Sequence, residues 1–118
     1  MENSRKLSAS GVVIEDSKVL LVKHTYGAAK GKYLIPGGFS EEGEMPQVTA
    51  KREVLEETGV VVKAEELVAI RFTPQEVWCI FNATYVKGIP TSDKGENEDA
   101  VFMSIEEAIS SESVVETT

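Results

Sequence analysis

The stretch from Pro36 to Gly59 constrains this chain more than any other. It opens on Pro36-Gly37-Gly38, a glycine pair after proline, which marks backbone that must turn tightly or approach something closely. Pro46 follows, at a place where a helix can begin without losing a hydrogen bond, and Gly59 supplies a natural stop. The spacing predicts a helix from Pro46 to about Thr58. At about 100° per residue, Glu56 falls roughly 60° to one side of Glu53 and Glu57 roughly 40° to the other. The three carboxylates therefore share one narrow ridge, bordered by Arg52 and Thr49. Ala50, Val54, Leu55 and Val48 lie on the remaining side, the predicted core face.

Three carboxylates at this spacing repel one another by a few tenths of a kcal/mol per pair in water, and by more when partly buried. An ordinary solvated helix face is the plain alternative. Two observations weigh against it. Only Arg52 lies close enough to compensate, and the upstream Ile35-Pro36-Gly37-Gly38 suits close backbone approach better than a solvated spacer. Clustered oxygen donors beside exposed backbone suit Mg²⁺ or Mn²⁺, and no Cys/His cluster points to zinc.

The rest of the chain reads as strands with few helices. Leu7–Ile14 is a strand with small residues at its centre, Glu15-Asp16-Ser17 a turn, and Val19–Lys23 a buried strand. Thr25–Lys32 is a loop and Tyr33–Ile35 a short extended piece. Val60–Val62 and Leu67–Phe72 are strand material around a polar bend. Val77–Val86 is a long strand and Gly88–Asp99 a polar loop. Ala100–Met103 is a short strand, Ile105–Ile109 a short helix, and the tail after it is expected to fray. Strands mixed with a few helices imply a sheet with helices packed on it.

Composition sets outer bounds. The 118 residues suit a single domain, 1–118, and the 42% hydrophobic content can build a core without disulfides. The lone cysteine, Cys79, sits in an apolar run and reads as a buried small hydrophobe. Twenty acids against twelve bases give a net charge of −8, which argues against binding a nucleic acid polymer. A phosphorylated small molecule stays possible where cations bridge the two. The N-terminus has no apolar signal region and no run is long enough to span a membrane, so a cytoplasmic protein without a membrane partner is expected.

From Gly38 to Val60 the chain resembles a Nudix box: Gly, five residues, Glu, seven residues, then Arg-Glu-apolar-x-Glu-Glu-x-Gly-apolar. Gly38, Glu44, Arg52, Glu53, Val54, Glu56, Glu57, Gly59 and Val60 fill every position. The resemblance implies an α/β/α sandwich around a mixed sheet, with the box as a loop–helix–loop. It implies that Glu53, Glu56 and Glu57 hold Mg²⁺ or Mn²⁺ and position water. The Gly37 carbonyl would be a further ligand, Arg52 would orient the glutamates, and Glu44 would act structurally near the helix start. It also implies an added acid from a downstream loop. Glu98 is preferred over Glu96, with Asp99 a third candidate. The general base is assigned to Glu53 or that loop acid.

The implied activity is Mg-dependent pyrophosphohydrolysis of a nucleotide-like small molecule. Oxidised or non-standard nucleoside triphosphates rank just ahead of ADP-ribose or another nucleotide sugar. A catalytically silent, nucleotide-sensing Nudix domain is the alternative of another class, and a plain metal-binding or interaction domain a third. Pro74, fifteen residues past Gly59, marks ADP-ribose hydrolases only weakly and is also an ordinary turn residue. Lys23, Lys30 and Lys32 are candidates to meet phosphate. Trp78 and Phe72, with Phe81 and Tyr85 behind them, are candidates to stack a base, with core packing the commoner role for aromatic residues. His24 is expected to be structural. A monomer and a homodimer are both compatible with the sequence.

Overall fold

Small residues at the centre of the first strand set the architecture. The computed structural model describes residues 5–25, 31–92 and 97–110, with the backbone alone for Asn97 and Glu98. Strand β1, Lys6–Glu15, is covered on both faces, with Ser8, Ala9, Ser10, Gly11 and Val13 buried. A two-residue turn, with Asp16 and Ser17 at positive φ (52° and 61°), returns the chain into β2, Lys18–His24. Then come β3 (Tyr33–Leu34), β4 (Gly37–Phe39), helix α1 (Pro46–Thr58), β5 (Val61–Phe72), β6 (Glu76–Lys87), β7 (Asn97–Ser104) and helix α2 (Ile105–Ser110).

The sheet is mixed, in the order β3-β2-β1-β6-β5, with β4 also pairing β1 and β7 also pairing β2. β1 and β6 run parallel from Lys6↔Glu76 to Val13↔Ala83, and the other pairings are antiparallel. The β1–β2 hairpin stays paired only at Ile14↔Val19 and Glu15↔Lys18. Beyond that point β2 follows β3 and β7, while β4 takes its place beside the first half of β1. The sheet thus splits into two arms.

Helix α1 begins at Pro46 and ends where Gly59, at φ 76°, donates its N–H to the Leu55 carbonyl, as the sequence predicts. It buries Thr49, Ala50, Val54, Glu57 and Thr58. Val54 joins Val13, Leu20, Val60, Val62 and Ala83 in the core, a burial that contributes about 1.5–3 kcal/mol. Gly11 lets the helix sit close: a Cβ there would lie 3.1 Å from Val54. The expected core face is corrected in part, because Val48 and Leu55 remain 50% and 45% exposed. The helix is rolled so that the strip Ala50, Val54, Thr58 meets the sheet. Thr58 makes this possible by spending its hydroxyl on the Val54 carbonyl (2.6 Å).

Three further expectations are revised in whole or in part. The polar bend expected between Val62 and Leu67 does not divide two strands. β5 is continuous and absorbs the polar residues in register shifts, the β-bulges of an edge strand. Of the two roles read for Pro36-Gly37-Gly38, the structure shows close approach and not a tight turn, since both glycines lie in β4. Glu98 and Asp99 lie in strand β7 rather than in a loop. Lys30 and Glu96 fall outside the described residues. Cys79 is buried, as expected, and loss of solvation pushes its thiol pKa up.

Candidate active site

The register of β4 on β1 decides where the box glutamates meet the backbone. Gly11 N–H donates to the Pro36 carbonyl and Ser40 N–H to the Leu7 carbonyl, so the hydrogen-bonded pair between them is Ala9↔Gly38. The amide of Gly37 therefore points away from β1, and it donates to Glu57 Oε1 at 3.0 Å. In extended backbone the carbonyl of the same residue faces the same edge. An added Cβ would meet a close neighbour at either glycine. At Gly37 a Cβ would lie 2.6 Å from the Ala9 carbonyl oxygen, and at Gly38 it would lie 2.6–2.8 Å from the Glu53 carboxylate atoms. The glycine pair is thus the floor on which Glu53 and Glu57 rest, although Glu57 is only 9% exposed.

Arg52 organises the remaining acids. Its Nε and Nη2 donate to the two oxygens of Glu44, at 2.8 and 2.9 Å, a two-pronged contact. Nη2 also reaches the Phe39 carbonyl at 3.1 Å. Nη1 is shared between Glu53 Oε2 (3.0 Å) and Glu56 Oε1 (3.1 Å). Glu44 accepts further bonds from the Thr49 hydroxyl and the Glu41 N–H. The Arg52 guanidinium, then Thr49 and Glu41, pull the Glu44 carboxyl down from 4.5 to about 2, and Glu44, with Glu53 and Glu56, pushes Arg52 up. Among the described residues no three His, Cys, Asp or Glu side chains converge as a ready metal cage. Arg52 stands between Glu53 and Glu56, and Glu57 is turned to the Gly37 amide.

On the other side of the glycine pair lies a cleft of about 450 Å³. It fills the split between the two arms of the sheet. His24, Leu34 and Ile35 come from one arm, and Ser8, Ser10, Glu76 and Trp78 from the other, with Arg71 and Thr73 at the end of β5. Gly37 and Gly38 also line it, so one short strand separates cleft from carboxylates.

The Nudix domain model matches residues 5–117 of the sequence. The chain belongs to the Nudix family. It is 35% identical over 68 residues to an ADP-ribose pyrophosphatase of Methanocaldococcus jannaschii, covering 58% of this chain and 40% of that protein. It is 36% identical over 83 residues to an NAD-capped RNA hydrolase, NudC, of Actinobacillus succinogenes, covering 67% of this chain and 30% of that protein. The chain thus spans less than half the length of these curated relatives. A Nudix hydrolase structure from Nitrosomonas europaea superposes with TM-score 0.83 at 27% identity, covering 91% of this chain and 61% of that one. A Nudix-family hydrolase structure from Clostridium perfringens gives 0.80 at 21%, covering 95% and 89%, a likeness of fold.

Within this Nudix fold the residues singled out in the sequence separate clearly. Glu44, Arg52, Glu53, Glu56, Glu57, Gly37 and Gly38 come together. Trp78 lines the cleft, but Phe72 does not: it is 70% exposed, and its neighbour Arg71, opposite Trp78, takes the cleft-facing position. Phe81 is core, and Tyr85 packs edge-on against Phe102. Lys23 lies over the Tyr33 ring at 6.0 Å, and Tyr33 donates to Asp99 Oδ2 at 3.0 Å, so Asp99 is engaged away from the box. Lys32 is exposed just before β3 and does not line the cleft. The Glu98 backbone sits in β7 beside β2, and its side chain is outside the described residues. His24 does line the cleft. Sequence reasoning missed Ser8, Ser10, Arg71 and Glu76. The alternating serines inside an otherwise apolar strand were the available signal. Among the described residues no helix is long and apolar enough to cross a membrane.

Proposed function

We propose that this Nudix domain is a divalent-metal-dependent pyrophosphohydrolase. Its substrate is a nucleoside triphosphate or another nucleoside diphosphate joined to a second group. One observation carries the reading: Glu57 accepts the backbone N–H of Gly37, and the Glu53 carboxylate lies where a Cβ on residue 38 would stand. The family model, running over residues 5–117, supports treating the chain as one such domain.

The donor set suits Mg²⁺ or Mn²⁺, since it offers only hard oxygens and the missing Cβ of Gly38 leaves space for a carboxylate. Glu53, Glu56 and Glu57 would hold the ion, with the Gly37 carbonyl on the same edge and Glu98 as the downstream acid. Such an ion, when bound, neutralises diphosphate oxygens and acidifies water. Glu53 is the proposed proton acceptor, held in place by Arg52 Nη1. Arg52 and Glu44 are positioning residues. The two together fix where Glu53 and Glu56 can reach.

Nucleoside triphosphates remain ranked just ahead of ADP-ribose. The relative named ADP-ribose pyrophosphatase supports the second choice. The intact glutamate set speaks against a silent sensing domain. The test is a product-resolved screen of nucleoside triphosphates, ADP-ribose, dinucleoside polyphosphates and nucleotide sugars, with and without Mg²⁺. Glu57→Gln is run alongside; its amide oxygen still accepts from Gly37, so the variant folds, and turnover falls by at least about 10²-fold. Absence of Mg²⁺-dependent cleavage across the panel, or full activity in Glu57→Gln, would overturn the proposal.

A further inference from the structure

The face of β1 and β6 turned away from α1 carries a repeated device. Ser8 and Ser10 are each only 4% exposed. A buried hydroxyl is costly unless bonded, and each serine bonds to a side chain of β6 that lines the cleft. Ser8 donates to Glu76 Oε2, and Ser10 accepts the indole N–H of Trp78 at 2.8 Å. Two residues apart on β1, the serines fix two side chains that are two residues apart on β6. Apolar residues would fill a strand face more cheaply. The carboxylate and the indole are instead held on the cleft wall in set orientations, before any ligand arrives.

Glu76 keeps unused capacity. An ionised carboxylate offers about four acceptor sites, and Ser8 takes one of them at Oε2. Among the described residues no donor reaches Oε1.

We infer that Trp78 and Glu76 form a base-reading platform and that it selects guanine. This rests on the nucleotide-hydrolase reading above. The indole supplies the stacking surface, and Glu76 accepts from the base edge. Guanine presents two adjacent donors there, the ring N1–H and the exocyclic amino group. Uracil places its single N–H between two carbonyls. Adenine and cytosine set an acceptor nitrogen beside their amino group. Each of these would turn an acceptor towards the carboxylate, leaving that edge unpaired or repelled.

The experiment uses GMP, AMP, CMP and UMP, which contain no diphosphate to cleave. Trp78 is the only tryptophan in the chain, so its fluorescence reports stacking directly. GMP is expected to quench this emission and to bind at least about tenfold more tightly than the other three. In Glu76→Gln, which retains an oxygen for Ser8, the GMP-to-UMP affinity ratio is expected to fall by about ten- to a hundredfold. The kcat/KM ratio of GTP to UTP should fall in step. Equal binding of the four nucleotides overturns the inference, as does a GMP preference unmoved in Glu76→Gln. If that variant does not fold, the wild-type ranking and its fluorescence response decide. A chain that binds GMP selectively and cleaves nothing upholds this inference and overturns the hydrolase reading alone. A chain that cleaves nucleotides without base preference does the reverse.

Discussion

Gly38→Ala separates the site from the fold. The added Cβ would stand 2.6–2.8 Å from the Glu53 carboxylate, against about 3.4 Å for an ordinary contact, so the carboxylate must retreat by roughly 0.6–0.8 Å. It sits at the free end of a flexible side chain, and Gly38 is extended backbone that tolerates alanine. The retreat is therefore cheap for stability. Restricting the unfolded chain contributes about 0.4–1 kcal/mol in the opposite direction. Net stability should stay within about 1 kcal/mol of wild type by urea denaturation. Activity should not survive as well, since a shift of this size in a reacting group costs on the order of 10²-fold in kcat/KM. The control is a double-mutant cycle. In a Glu53→Ala background there is no carboxylate to displace, so Gly38→Ala should lower the residual rate no further. Wild-type turnover in Gly38→Ala would refute the reasoning, and so would losses that add in the double mutant.

Gly37→Ala should behave differently, because its Cβ meets Ser10 and the Ala9 carbonyl rather than a movable tip. Urea denaturation should show a loss of about 1–3 kcal/mol, and wild-type stability would contradict the register described for β4. Arg52→Lys removes the two-pronged contact with Glu44, with an expected cost of about 1–3 kcal/mol and a drop in kcat; unchanged values for both would show that a point charge suffices. The Glu44 pKa, lowered from 4.5 to about 2 in the folded chain, gives stabilisation that is full above pH 4.5 and lost as pH falls towards 2. The stability gap between wild type and Glu44→Gln should close across that window, and parallel curves would exclude the assignment. Cys79, buried and raised in pKa, should react with iodoacetamide far more slowly in native protein than in urea, whereas equal rates would place it at the surface.

The parts of the fold that were legible in the sequence are those governed by short-range rules. Pro46 and Gly59 bound α1 to the residue, because the missing N–H and the left-handed φ act locally. The arc shared by Glu53, Glu56 and Glu57 follows from helix geometry alone. What stayed hidden depends on partners far along the chain. Ser8 meets Glu76, and Ser10 meets Trp78, across 68 residues in each case. No local pattern announces which serine faces a cleft. Phe72 and Arg71 illustrate a choice of parity: the β5–β6 register gives the cleft face to Arg71, and a shift of one residue would have given it to Phe72. The bend expected between Val62 and Leu67 is absent for a related reason, since a strand can carry an extra residue as a bulge and continue.

The same contrast explains why the glycines constrain the site as tightly as the glutamates. Any helix with glutamates at these positions gathers an acidic ridge, and most such ridges are merely solvated. Here the ridge faces a glycine pair in β4. Gly37 offers an N–H to one carboxylate, and the bare Cα of Gly38 lets a second carboxylate lie against the backbone. That strand is also a wall of the cleft, so the carboxylates and the cleft share one short stretch of backbone. The split in the sheet produces this adjacency: had β2 stayed paired with β1 along its length, β4 would have had no edge to join, and the ridge would have faced an ordinary strand.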